Sequence, residues 1–168
     1  QNVAGLTAVN YRLEPWTYRE DEGCEFGNMF TPCIAADGDP ATPVLKAHAG
    51  DRVMINVFGA HNEQNQMFNM DGHQWRRHLN QKGSDMIDVE QFGGGEYIQA
   101  FTKAGGTYSN PGTYLWLNAR TPYQQAGQWG YFKVLPGGDR SILPLGGAAP
   151  KAGKSASVDA GDDVLSMK

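Results

Sequence analysis

The chain carries no cluster of lysines or arginines, and its net charge is −4. Nothing in it is drawn to a phosphate backbone, so nucleic acid is excluded as a partner. No apolar segment approaches the roughly 18 uninterrupted residues that a spanning helix needs, because charged or turn residues break every hydrophobic run. No membrane span is therefore expected. Hydrolytic and nucleotide-binding signatures are missing too: there is no Gly-x-Ser-x-Gly elbow, no His-Glu-x-x-His pair and no Gly-x-x-x-x-Gly-Lys phosphate loop. Cysteine is scarce, with two in 168 residues. Cys24 and Cys33 lie in a stretch rich in Gly and Pro, where a disulfide would close a small loop and compensate for missing regular structure. A metal site is the rival reading, but the pair lacks the tight Cys-x-x-Cys spacing that supports one. The chain starts at Gln1, as it would after removal of a signal peptide or cleavage at another boundary. With a bridged pair this favours a secreted or periplasmic protein.

What is present points to strands. The 22 glycines and 9 prolines are scattered without period, and the segments between them are short and rich in Val, Ile, Tyr, Phe and Trp. "DRVMINVFG" puts Val53, Ile55 and Val57 on one face and Arg52, Met54 and Asn56 on the other, the alternation of a strand with one buried side. Further strands are expected at Leu6 to Tyr11, Val44 to His48, Gln66 to Met70, Met86 to Phe92, Glu96 to Phe101, Thr113 to Asn118 and Gly127 to Val134. Helical periodicity is absent beyond one turn near Ser84. The "GGG" at Gly93 to Gly95 reads as a tight hairpin turn. Strands at this spacing suit an all-β, antiparallel Greek-key β-sandwich. The composition changes after Val134, and residues 1–136 are expected to form the domain and residues 137–168 an extended Gly/Ala/Pro-rich tail, flexible by itself unless Ile142, Leu143, Leu145, Val164, Leu165 and Met167 dock on a surface.

Three stretches together carry a resemblance: "AGDRVMINV", "QNQMFNMDGHQW" and "PGTYLWLNARTPYQQAGQWGYFKV". They resemble the cupredoxin domains of large bacterial multicopper oxidases, the group that includes manganese-oxidising members. The similarity runs from Asn10 to Pro136 and leaves out the tail. It implies a cupredoxin fold and a place for copper ligands. Set against the family's His-Cys-His pattern, Leu117, Asn118 and Ala119 stand where those ligands would be, with Tyr123 at the next histidine and Gln128 at the axial residue. In the second stretch Asn69 and Asp71 stand at two histidine positions, and only His73 matches. A blue copper site needs a thiolate and two imidazoles, and the amide of Asn118 cannot replace the sulfur. The resemblance thus implies a domain whose copper positions are filled by amide and aromatic side chains, with no cofactor in this chain. Such a domain would pack against other cupredoxin domains or protein subunits as a structural component.

Two alternatives use the remaining donors. In one, the chain is part of an active oxidase and contributes His73 to a shared copper centre. In the other it is a copper carrier, with His73, His78, Met67 and Met70 as a mixed donor set around "QWRR". Against both, the spacing fits no tight ligand motif, and methionines on a strand are usually core filling. His48 reads as a surface or half-buried strand residue and His61 as a loop residue. The amide-rich run from Asn62 to Asn69 suits hydrogen bonds to a polar ligand or, as the favoured reading, to backbone groups where the strand enters a crowded interface. Arg76, Arg77 and Arg120 suit contacts with another domain or a solvated edge. Asp85, Asp88 and Glu90 do not share one strand face and read as solvated charges.

Overall fold

The computed structural model describes residues 15–21, 23–24, 29–30, 44–60 and 64–137. The strand Arg52–Phe58 (β2) follows its alternation: Val53, Ile55 and Val57 turn inward and the intervening residues are exposed. Along its whole length β2 pairs antiparallel with Tyr97–Lys103 (β7), from Arg52 opposite Lys103 to Phe58 opposite Tyr97. Ile98, Ala100 and Thr102 supply the buried face of β7.

The second sheet has five strands: Leu45–His48 (β1), Gln66–Met70 (β3), Val89–Phe92 (β6), Gly112–Asn118 (β8) and Trp129–Leu135 (β9). They lie side by side in the order β1, β9, β8, β3, β6. Phe68, Met70, Phe92, Trp116, Phe132 and Val134 of this sheet share one core with Ile98 and Ala100 of β7, and Val53, Ile55 and Val57 of β2 close against it. Two sheets facing across a common core make an all-β sandwich. Burying a side chain such as Phe132, 1% exposed, stabilises the fold by about 1.5–3 kcal/mol. Gly130 lies opposite Trp116 in the β8–β9 ladder, and a Cβ there would run into the indole ring. Only glycine lets the ring lie flat against the next strand.

The structure departs from expectation in several places. The pairing is not wholly antiparallel, because β1 runs parallel to β9, Leu45 opposite Phe132. The stretch expected as one strand from Met86 to Phe92 is broken at Asp88. Met86–Ile87 (β5) pairs with Trp75–Arg76 (β4), whereas β6 pairs with β3. The chain changes partner there because the Asp88 carbonyl turns to accept from Met70 N at 3.4 Å and from Asn69 Nδ2 at 3.2 Å. No helix forms near Ser84; a turn does, closed by Ser84 N to Gln81 O at 3.1 Å and His78 N to Ser84 Oγ at 2.9 Å. The two helices of the described residues lie elsewhere, at Trp16–Asp21 (α1) and Thr121–Gln125 (α2). Gly93 to Gly95 do not join a hairpin, since β6 and β7 belong to different sheets; the turn carries the chain from one layer to the other. The expected strand at Leu6 to Tyr11 and residues 138–168 lie outside the described residues. No helix among the described residues is long and apolar enough to cross a membrane.

Candidate functional site

At the end of β8 the backbone is tied on both sides. Asn118 N donates to Gln128 O at 3.0 Å, and Ala119 N donates to Met67 O at 2.9 Å. The chain then enters α2, which has a proline in its first turn, where the missing N–H costs nothing. It leaves through Gly127 at φ +106°, a left-handed conformation that glycine adopts without strain. Gln128 N donates back to Tyr123 O at 2.9 Å, which closes the loop over the start of β3.

Inside this loop the side chains form a network of amides. Asn118, 5% exposed, donates from Nδ2 to Gln66 Oε1 at 2.5 Å and to Gln128 Oε1 at 2.7 Å, while its Oδ1 accepts from Arg120 N at 3.0 Å. Both donors and the acceptor of the amide are therefore used. Gln66 Nε2 donates to Gln64 O at 3.1 Å. Gln64 Oε1 accepts from the Tyr123 hydroxyl at 2.6 Å and from Arg120 Nη2 at 3.1 Å, and Arg120 Nη1 donates to Asn65 O at 2.7 Å. The Arg120 guanidinium also lies over the Tyr123 ring, 5.0 Å from its centroid.

The structure thus brings together three of the positions singled out in the sequence: Asn118, Tyr123 and Gln128. It adds Gln64 and Gln66, which sequence reasoning left in an undifferentiated amide run. The signal for Gln66 was its place on the inward face of an alternating strand, where an amide is out of character without a partner. Leu117 and Ala119 flank Asn118 and take no part: Leu117 is half-buried and Ala119 is exposed. Asn69 belongs to the other face of β3, with its amide on Asp88 O.

His73 lies elsewhere, beyond the far end of β3. It is 1% exposed, with the Tyr114 ring edge-on at 4.6 Å and Phe132 at 5.1 Å. Nε2 accepts from Gly105 N at 3.0 Å, which leaves the ring proton on Nδ1, facing Asp71 O at 2.8 Å. Burial lowers the His73 pKa, partly offset by the bond to the Asp71 carbonyl. Partial desolvation holds the Asp71 carboxyl above its usual range, and the charge of Asp88 adds to this. Met70 is fully buried in the core, Met67 faces the opposite side of β3, and His78 is exposed. The donors His73, His78, Met67 and Met70 are thus not gathered at one point. Among the described residues no three His, Cys, Asp or Glu lie close enough to hold a metal ion. His48 is half-buried beside Asp51, and His61 lies outside the described residues. Glu90 faces Trp75 Nε1 at 3.4 Å; Asp85 and Asp88 are exposed. Cys24 is buried, and Cys33 lies outside the described residues.

The donor chemistry around Asn118 does not fit copper. Gln66, Asn118, Tyr123 and Gln128 supply neither a thiolate nor an imidazole, and the Asn118 amide is already engaged with Gln66 Oε1 and Gln128 Oε1. No family model matches the sequence, and no curated protein matches it. Among solved structures the chain is similar to a multicopper oxidase, at 17% identity over 54% of this chain and 32% of that one, with a TM-score of 0.44. It is similar to the multicopper oxidase mgLAC at 20% identity, over 60% and 33% of the two chains, with a TM-score of 0.46. A blue copper oxidase from Nitrosomonas europaea gives 16% identity, 58% and 32% coverage, and a TM-score of 0.46. The chain spans about a third of the length of each.

Proposed function

We propose that this chain is a copper-free cupredoxin-like domain or subunit of a secreted, multicopper-oxidase-type assembly, with a structural or interaction role and no redox chemistry of its own. One observation carries the reading. Three of the positions that the resemblance to manganese-oxidase-type copper oxidases assigns to metal ligands, Asn118, Tyr123 and Gln128, lie in one hydrogen-bonded network, in which the Asn118 amide donates to the amide oxygens of Gln66 and Gln128. A buried polar network of this kind fixes a loop and a strand end in one arrangement when all its members are satisfied. That is the task of a scaffold. The domain would end near Pro136, and a Cys24–Cys33 bridge would suit export. Its partners would be sister cupredoxin domains or other subunits.

The test is metal analysis of the full chain after incubation with Cu(I) and with Cu(II), followed by dialysis. The expected result is less than a tenth of an equivalent of retained copper and no intense visible absorption, because no thiolate is available at the site. About one copper per chain, held by residues around Asn118 or His73, would overturn the proposal.

A further inference from the structure

Beside β7, apart from the Asn118 network, lies an open cleft of about 500 Å3. Met86 and Asp88 line it from β5 and the residue that follows, Phe101 and Lys103 from β7, and Thr107 from the turn after β7. Its walls are held in place. Trp75 pairs with Ile87 in the β4–β5 ribbon, and Thr102 Oγ1 donates to Gln74 O at 2.9 Å, which ties that ribbon to β7. The turns at Gly72 and Gly106 approach so closely that a Cβ on Gly106 would lie 2.5 Å from Gly72 O. A pair of like charges stands at each side of the cleft. On one side, Asp71 has its carboxyl held above the usual range by partial desolvation first and by the charge of Asp88 second. Among the described residues neither carboxylate has a hydrogen-bond or ion-pair partner. On the other side, Arg52 is directly opposite Lys103 in the β2–β7 ladder, an arrangement that costs stability within a ribbon. Asp51, next in sequence to Arg52, is turned to His48, whose N–H it accepts at 3.0 Å. Lys103 donates one N–H to Thr107 O at 3.3 Å and keeps two. Asp88 and Lys103 thus line one cleft with opposite charges that do not close into an ion pair.

We propose that this cleft binds a free amino acid with an apolar side chain. Its ammonium group lies at Asp88, its carboxylate takes the two remaining N–H groups of Lys103, and its side chain rests against Met86 and the Phe101 ring. A simple cation would gain at Asp88 and be repelled by Lys103; a simple anion would meet the reverse. A zwitterion gains at both ends, offsets the repulsion within each like-charge pair and leaves the net charge of the complex unchanged. The apolar walls suit an apolar side chain: Met86 is 52% exposed, and its thioether adapts to the shape laid against it. The Arg52 guanidinium, 4.9 Å from the Phe101 centroid, holds that ring from the other strand of the ribbon. The volume is in the range of small-molecule sites and admits an amino acid with some water. The cleft is open and its charges are hydrated, so binding is weak, in the millimolar range. The proposal is independent of the role assigned to the Asn118 network, because no residue of that network lines the cleft.

Titration of the full chain with L-leucine, followed by backbone amide NMR, tests this. Saturable shifts are expected at Gly72, Asp88, Lys103, Gly106 and Thr107, with Asn118 and Gln128 unmoved. N-acetyl-leucine, which lacks the ammonium group, and leucinamide, which lacks the carboxylate, are each expected to bind roughly tenfold more weakly or worse. The two charges are separated by variants at exposed side chains, with the fold checked by circular dichroism. Asp88→Asn is expected to remove the advantage of leucine over N-acetyl-leucine, and Lys103→Met its advantage over leucinamide. No saturable shift with leucine overturns the proposal, as do shifts confined to other parts of the fold. Leucinamide or N-acetyl-leucine binding as well as leucine would show a site for one charge only and would also overturn it, and so would leucine binding that is indifferent to both variants.

Discussion

At the residue scale, Asn118 and His73 show how differently two buried polar side chains can be employed. Asn118 holds three partners at once. Asn118→Ala leaves Gln66 Oε1, Gln128 Oε1 and Arg120 N short of a bond in a buried setting, and is expected to cost about 2–3 kcal/mol in denaturant unfolding. Tyr123→Phe removes one bond from Gln64, which keeps Arg120, and is expected to cost about 1 kcal/mol. Equal losses for the two would mean that Asn118 is not the hub. His73 makes the fold sensitive to acid. Its folded pKa is lowered, so between that value and the ordinary histidine value near 6.5 the unfolded chain binds the extra proton. Stability should be full above about pH 6.5 and fall as the pH drops through that window. Asp71 acts in the opposite sense and at lower pH: its raised carboxyl regains stability as it protonates. Unfolding midpoints from pH 7.5 to 5.5 should therefore decline in wild type and flatten in His73→Phe. A slope unchanged in the variant would remove His73 as the cause.

At the element scale, the sequence was most readable where one face of a strand is buried. The alternation over residues 52–58 placed β2, because a period of two is written directly into the side chains, and the strand expected at Glu96 to Phe101 forms as β7, which runs on to Lys103. What it could not show was pairing. The break at Asp88 follows from which strand lies alongside, and the helices α1 and α2 are too short to leave a periodic trace. The Gly93 to Gly95 turn looks the same in sequence whether it closes a hairpin or crosses between sheets. The turn that receives His73 gives a sharper prediction. A Cβ at Gly106 would lie 2.5 Å from Gly72 O, whereas one at Gly83 would meet nothing within 4 Å; both residues have positive φ. Gly83→Ala is expected to cost roughly 1–2 kcal/mol for the left-handed conformation alone, and Gly106→Ala clearly more, as measured by thermal or denaturant unfolding. Similar costs at the two positions would show that the Gly72 and Gly106 turns are free to move apart.

At the scale of the whole molecule, the candidate site was half legible. Asn118, Tyr123 and Gln128 were found by their place in a resemblance, and they do converge. Gln66 was not, because it is 52 positions from Asn118 in the chain, and only the pairing of β3 with β8 brings the two amides together. The proposed role requires that cluster to hold a strand end without a metal, with both Asn118 donors and its acceptor engaged by protein groups. The side-chain NMR signals of Asn118 test this most directly. Both Nδ2 protons should exchange slowly with solvent and keep their intensity when one equivalent of Cu(II) is added. Rapid exchange of those protons, or their disappearance through paramagnetic broadening at one equivalent of copper, would contradict it.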